Sequence, residues 1–188
     1  MFQLKGSVFI GLFVLLLMAV AAVPASAAVG LTLNPSASNV GIGSYFDVDV
    51  YVLGLDTTDL AAYTLDIGFN DDVLEFQDIA FGPYLGFDTD SLADFLVGAG
   101  SVNVAETSFL FDFADQPDAF SLFTMTFQAE ALGSSDFSFL SVDLSDSSAQ
   151  AIEASLGSNV NVVPIPGALW LLGSGLLALT SVRRKSRS

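Results

Sequence analysis

The chain has 188 residues, a formal net charge of −16, no cysteine and no histidine. That composition excludes Ser-His-Asp and Cys-His catalysis, His/Cys zinc sites and disulfide staples. All 21 Asp and Glu fall between Asp47 and Glu153, while Lys5, Arg183, Arg184, Lys185 and Arg187 are the only basic residues. The interval between the ends therefore has nothing to neutralise phosphate, and nucleic acid is excluded as its partner. Anionic lipid is excluded on the same ground.

The first predicted element is a signal peptide. Lys5 supplies the positive start, Val8 to Val23 the apolar core, and Ala25-Ser26-Ala27 the cleavage site before Ala28. The apolar core is too short for a comfortable permanent span, so cleavage by signal peptidase is the expectation.

Strand patterns follow. Phe46, Val48, Val50 and Val52 alternate with Asp47, Asp49 and Tyr51, and Tyr63, Leu65, Ile67 and Phe69 alternate with Thr64, Asp66 and Gly68. Period-two alternation marks half-buried strands. Asn34-Pro35, Gly41-Ile42-Gly43, Asn70-Asp71-Asp72 and Gly82-Pro83 punctuate them as turns. Leu92, Phe95 and Leu96 share one side of a helix predicted over 91–97. Phe109, Phe111 and Phe113 predict another strand, as do Ser121 to Glu130, Phe137 to Leu144 and Val160 to Val163. Ser145 to Asn159 is small and polar enough to include a loop before a last strand.

The chain ends in a Pro-x-Pro turn, Pro164-Ile165-Pro166, then an uncharged apolar run from Gly167 to Val182, then the basic cluster Arg183, Arg184, Lys185 and Arg187. As a helix the run covers about 24 Å, slightly less than a hydrocarbon core. The basic cluster holds its own end on the cytoplasmic side, so the domain before the prolines faces outward.

This tail resembles the PEP-CTERM class of bacterial sorting signals in its VPLPA-type variant. The matching residues are Val163, Pro164, Ile165, Pro166 and Gly167, the segment Ala168 to Leu176, and Arg183-Arg184-Lys185. Ile165 replaces the acidic residue of the Pro-Glu-Pro form, and Gly167 stands where VPLPA has alanine. The resemblance implies processing by an exosortase-type membrane protease of a Gram-negative bacterium. It implies passage through the inner membrane to the cell surface or an exopolysaccharide matrix.

A second stretch, residues 29 to 80, resembles the opening of a cohesin domain. It is carried by Leu33-Asn34-Pro35, by Gly43 to Val50, and by Leu65 to Phe76 with its acidic turn Asn70-Asp71-Asp72 feeding Val73-Leu74-Glu75-Phe76. Asp72 stands where the family usually has proline. The resemblance implies a nine-stranded jelly-roll-like sandwich with a protein- or carbohydrate-associated binding role. It does not imply dockerin as the partner.

Candidate sites are sparse. Asp88, Asp90 and Asp94 are the candidate ligands for a calcium ion, the one cofactor considered, although the stretch lacks the glycine and closing Glu of an EF-hand and also reads as a solvated loop. Asn70-Asp71-Asp72 reads as an Asx-type turn. Glu75, Glu106, Glu130 and Glu153 are the acid/base candidates for glycoside hydrolysis, but carboxylates are too abundant here for a pair to be informative. Phe81, Tyr84 and Phe87 form either an exposed aromatic patch or part of the core.

The expectation is an all-β, jelly-roll-like two-sheet sandwich, cohesin-like, over residues 28–162. It is flanked by a signal peptide at 1–27 and by a sorting signal at 163–188 that holds a single transmembrane helix. The expected role is that of an exported, non-catalytic binding or adhesion module at the cell surface or in the matrix, contacting polysaccharide or another surface protein. A carboxylate-based glycan hydrolase and a purely structural matrix component are the alternatives.

Overall fold

The structure is a computed structural model and describes residues 29–166. The signal peptide, its cleavage residues Ala25, Ala27 and Ala28, and the tail from Gly167 through Arg183, Arg184, Lys185 and Arg187 lie outside the described residues.

Every regular element among the described residues is a strand. In chain order they are β1 (Val29–Pro35), β2 (Asn39–Gly41), β3 (Tyr45–Leu53), β4 (Ala62–Gly68), β5 (Leu74–Phe81) and β6 (Ser91–Gly98). Then come β7 (Ser101–Ser108), β8 (Ala119–Ala129), β9 (Ser135–Ser145), β10 (Ala154–Leu156) and β11 (Val160–Ile165). They form two sheets, one ordered β10-β1-β3-β8-β5 and the other β2-β11-β9-β4-β7-β6. Consecutive β1 and β2 lie in opposite sheets, as do β3 and β4, so the chain crosses the sandwich repeatedly in the manner of a jelly roll.

The alternating residues close this sandwich. Val48, Val50 and Val52 of β3 and Leu65 and Ile67 of β4 are fully buried, facing each other from the two sheets. Phe127 of β8 is the hub of the aromatic core. Its ring centroid lies 5.0 Å from Phe69, 5.1 Å from Phe137, 5.7 Å from Phe76 and 6.0 Å from Phe46. Those spacings are the edge-to-face and offset contacts that aromatic quadrupoles favour.

Two local readings are corrected. Residues 91–97 are not a helix: β6 pairs antiparallel with β7 in unbroken register from Ser91↔Ser108 to Gly98↔Ser101. The hairpin turns at Ala99-Gly100, where Gly100 takes φ 72°, a conformation only glycine adopts without strain. So short an apolar pattern cannot nucleate a helix against a neighbour that pairs with it along its whole length. Phe109, Phe111 and Phe113 form no strand and lie in the loop after β7. The segment 145–159 includes the expected loop before the last strand and also carries β10, which adds to β1 in parallel. The Asx turn is present, with the Asp72 amide donating to the Asn70 side chain at 3.1 Å.

The proline motif also differs from its expected place. Val163, Pro164 and Ile165 belong to β11, and Pro164 is buried. They pair in parallel with β2, Val163 donating to the Ser38 carbonyl at 2.9 Å. Pairing of β11 with β9 stops at Val162, so proline enters where a second neighbour no longer needs its missing N–H.

Removing the aromatic hub tests this account of the core. Phe127→Ala should cost about 3–5 kcal/mol in chemical denaturation. Phe111→Ala, at a fully exposed ring, should change stability by less than about 0.5 kcal/mol. Equal losses for the two would refute it.

Candidate functional site

The β5–β6 loop, the edge strand β6 and the β7–β8 loop meet at one end of the sandwich. The β5–β6 loop is anchored from below. Leu85 is buried, and the Tyr84 ring packs 5.0 Å from Phe120. Gly86 takes φ 125°, and a Cβ there would meet the Asp90 carbonyl oxygen at 2.7 Å, so only glycine fits. The loop closes with the Asp90 amide donating to the Phe87 carbonyl at 2.9 Å, and the Phe109 amide then donates to the Asp90 carbonyl at 2.7 Å. Gln116 ties the β7–β8 loop down by accepting from the Leu60 amide at 2.7 Å and donating to its carbonyl at 2.9 Å.

These anchors leave an aromatic and aliphatic rim. Phe87 is 63% exposed, Leu92 65% and Leu96 72%, with Phe109 and Phe111 also outside. Of the aromatic trio expected from the sequence, Phe87 alone is mostly exposed. Phe81 is half-buried near Phe123, and Tyr84 leans on Phe120.

Beneath the rim is a cavity of about 320 Å³, lined by Phe81, Phe87, Asp88, Ser91, Leu92 and Glu106 among others. Glu106 is the unusual member. Along β7, Val102, Val104 and Glu106 point inward and are buried, so a carboxyl occupies a position that the alternation assigns to an apolar residue. Tyr63 lies opposite it on β4 and donates its hydroxyl to Glu106 Oε2 at 2.9 Å. The other oxygen, Oε1, is buried without a hydrogen-bond partner.

The electrostatics follow from that burial. Loss of hydration pushes the Glu106 carboxyl above its usual range, and hydrogen bonding with the Tyr63 and Ser91 side chains opposes this only in part. Ser91 is near enough to act on the charge, yet no donor meets hydrogen-bond geometry at Oε1. Burial first, and the Glu106 charge second, push the Tyr63 phenol far up, so it remains a donor.

The predicted calcium ligands are not drawn together. Asp88 and Asp90 are exposed on the loop, with Asp88 at φ 52°. Asp94 sits on β6, its carboxylate accepting from the Phe95 amide at 2.8 Å. Among the described residues no group of three Asp or Glu is placed to hold a metal ion. The four glutamates are also dispersed. Glu75 is on β5 and bonds Gln77, Glu130 follows β8, and Glu153 precedes β10, all three exposed, while Glu106 alone is enclosed. The signal for Glu106 was present in the sequence as the charged member of Val102, Val104, Glu106. The contribution of Tyr63 needed the β4–β7 register.

Comparison with solved structures places this architecture. A non-cellulosomal cohesin from Archaeoglobus fulgidus matches with a TM-score of 0.57 at 17% identity, covering 74% of this chain and 92% of that one. The described residues have a cohesin-like fold. The cohesin module of a Clostridium perfringens family 33 glycoside hydrolase matches at TM-score 0.61 and 12% identity, covering 74% and 98%. A cohesin in a type I cohesin–dockerin complex from Clostridium thermocellum matches at 0.61 and 12%, covering 73% and 99%. No family model matches the chain, and no curated protein matches it.

The cohesin-like sandwich carries Glu106 at a stability cost that depends on pH. A carboxyl whose pKa is raised by folding favours the folded state fully below its unfolded value, about 4.3. That contribution is lost as pH rises through the raised value. Glu106→Gln keeps an acceptor for Tyr63 and removes the charge. It should raise the melting temperature at pH 7 by a few degrees, on the order of 2–5 °C, and leave it unchanged near pH 4. A variant that melts lower than the parent at pH 7 would show that the charge is compensated.

Proposed function

We propose that the chain is an exported, non-catalytic binding module that takes a protein partner along the β6 edge. The observation that carries this reading is the state of β6. It ends its sheet, pairs only with β7, and leaves Leu92, Phe95, Leu96 and Val97 exposed. Edge strands are usually blunted by charge, proline or a bulge. This one has Asp94 as its single charge, no proline and no break in register with β7. An extended segment adding to it gains main-chain hydrogen bonds and covers the leucines. Charge complementarity selects a basic segment, because residues 29–166 contain no Lys or Arg. The likeness to cohesins supports the reading, since one of the matched structures is a cohesin–dockerin complex. A glycan hydrolase is disfavoured by the dispersal of the glutamates.

Placement at the cell surface or in an exopolysaccharide matrix is part of the same proposal, resting on the signal-peptide pattern and the sorting-signal resemblance of the tail. Signal peptidase would act at Ala27-Ala28, and an exosortase-type protease near Val163 to Gly167 after a transient stay in the inner membrane. Val163, Pro164 and Ile165 belong to β11, so a processing site there would abut folded structure.

Two experiments separate the parts. The full-length chain in neutral detergent should retain one protein from the cell-envelope fraction. Leu92→Ser with Leu96→Ser should abolish retention while moving the melting temperature by less than about 2 °C, because both side chains are exposed. Equal retention by both forms, or retention of polysaccharide instead, would reject the edge-binding reading. Sorting is tested at the basic cluster, which avoids disturbing β11. Arg183, Arg184 and Lys185 all changed to Ser should leave an unprocessed, membrane-held chain on cell fractionation. Normal release at an unchanged mature mass would end the sorting proposal.

A further inference from the structure

The cavity beside β6 contains a carboxyl oxygen with no partner, in a domain that holds no cation. Glu106 is 1% exposed, its Oε2 is held by Tyr63, and its Oε1 is unpaired. Buried polar groups are nearly always satisfied, so an orphan of this kind asks for an explanation. Nothing within residues 29–166 can supply a positive donor, because that interval has no Lys, Arg or His. The Ser91 hydroxyl in the cavity wall is a neutral donor close by, so a cationic donor would come from another molecule.

The walls narrow its chemistry. Glu106 and Asp88 are the two carboxyls in the lining, too few for a hard divalent cation that wants six or more oxygens. Phe81, Phe87 and Leu92 supply apolar surface, with two aromatic faces for an organic cation. At about 320 Å³ the cavity is at the small end of ligand sites, about 300–1,000 Å³. One long side chain would fill it. Since Tyr63 already holds Oε2, a single oxygen remains. That suits the point charge of an ammonium better than the two-pronged fork of a guanidinium. Oε1 is covered in the free protein, and the mouth residues that would turn aside, Phe87 and Leu92, are both mostly exposed.

We propose that this cavity receives the ammonium group of a lysine from the bound partner, with Glu106 as its carboxylate and Phe81 and Phe87 flanking its stem. The inference rests on the binding-module reading and names the side chain recognised. Ser91, Leu92 and Ala93 belong to both the β6 edge and the cavity wall, so a segment lying along β6 passes its mouth.

Binding is then linked to pH. An ammonium pairs with the ionised carboxyl, so affinity rises as pH passes through the elevated pKa of free Glu106 and levels off above it. The titratable groups facing Glu106 are Tyr63 from β4 and Asp88 from the β5–β6 loop. Tyr63 stays protonated throughout this range. The lining contributed by β5 and β6 contains no titratable side chain.

The test uses n-butylammonium as the probe, titrated into the full-length chain in neutral detergent at fixed ionic strength, with n-butanol and ethylguanidinium in parallel. The expected result is saturable butylammonium binding that tightens from pH 5 to pH 8, weaker ethylguanidinium binding and none for butanol. Glu106→Gln should weaken butylammonium by about tenfold or more and remove the pH dependence. Asp88→Asn, at an exposed position that keeps the fold, should weaken it about two- to threefold. Leu96→Ser alone, on β6 but outside the cavity lining, should leave saturable binding in place. The proposal is overturned by non-saturable uptake, or by equal affinity in parent, Glu106→Gln and Asp88→Asn. Butylammonium failing while the edge variant still loses its protein partner would remove this inference and leave the binding-module reading standing.

Discussion

No attraction between opposite charges holds this domain together. Residues 29–166 contain all 21 carboxylates of the chain and no basic side chain, so every charge–charge interaction inside the sandwich is repulsive. Cohesion must come from apolar burial and hydrogen bonding, and both are concentrated between and within the two sheets. The ring cluster around Phe127 and the valines of β3 supply the first. The ladders supply the second, helped on the outer face of the five-stranded sheet by Thr126 donating to Asp47 at 2.8 Å. Jelly-roll topology suits this constraint, because it buries one face of the central strands β3, β4 and β8 and turns the carboxylates other than Glu106 out of the core.

The same constraint makes Glu106 conspicuous. A buried carboxyl is ordinarily matched by Arg or Lys, and here it is matched by a phenol on one oxygen and, on the other, by no donor in hydrogen-bond geometry, with the Ser91 hydroxyl nearby. Burial favours its neutral form, so the free domain holds a group poised to ionise when a cation comes near. It sits beside β6, an edge strand whose side chains are exposed along nearly its whole length. Unfinished pairing in the sheet and unfinished pairing of the carboxyl occur at the same end of the molecule, where a partner would complete both.

The residues resembling a sorting motif, Val163 to Ile165, pair with β2 in the six-stranded sheet, so the last strand and the start of that resemblance are one segment. Pro164 serves both readings. It is buried in the sheet, and its missing N–H marks where the pairing of β11 with β9 ends.

Much of the architecture was legible in the sequence, because side-chain period two is a local property. The strands at Phe46–Val52, Tyr63–Phe69 and Ser121–Glu130, the Asx turn at Asn70 and the sandwich class all follow from alternation and turn chemistry that each segment carries by itself. Composition alone also excluded nucleic acid and His or Cys chemistry. What depended on distant partners was not legible. Leu92, Phe95 and Leu96 have helical spacing, and only hydrogen bonds from β7 make them a strand. Phe109, Phe111 and Phe113 alternate perfectly, yet no neighbour is available to pair with them. Glu106 looked like one of four equivalent glutamates until the β4–β7 register set Tyr63 opposite it and the β5–β6 loop closed over it. Alternation and charge content are written residue by residue, whereas pairing, enclosure and the lack of a counter-ion are relations between segments, and only the folded chain decides them.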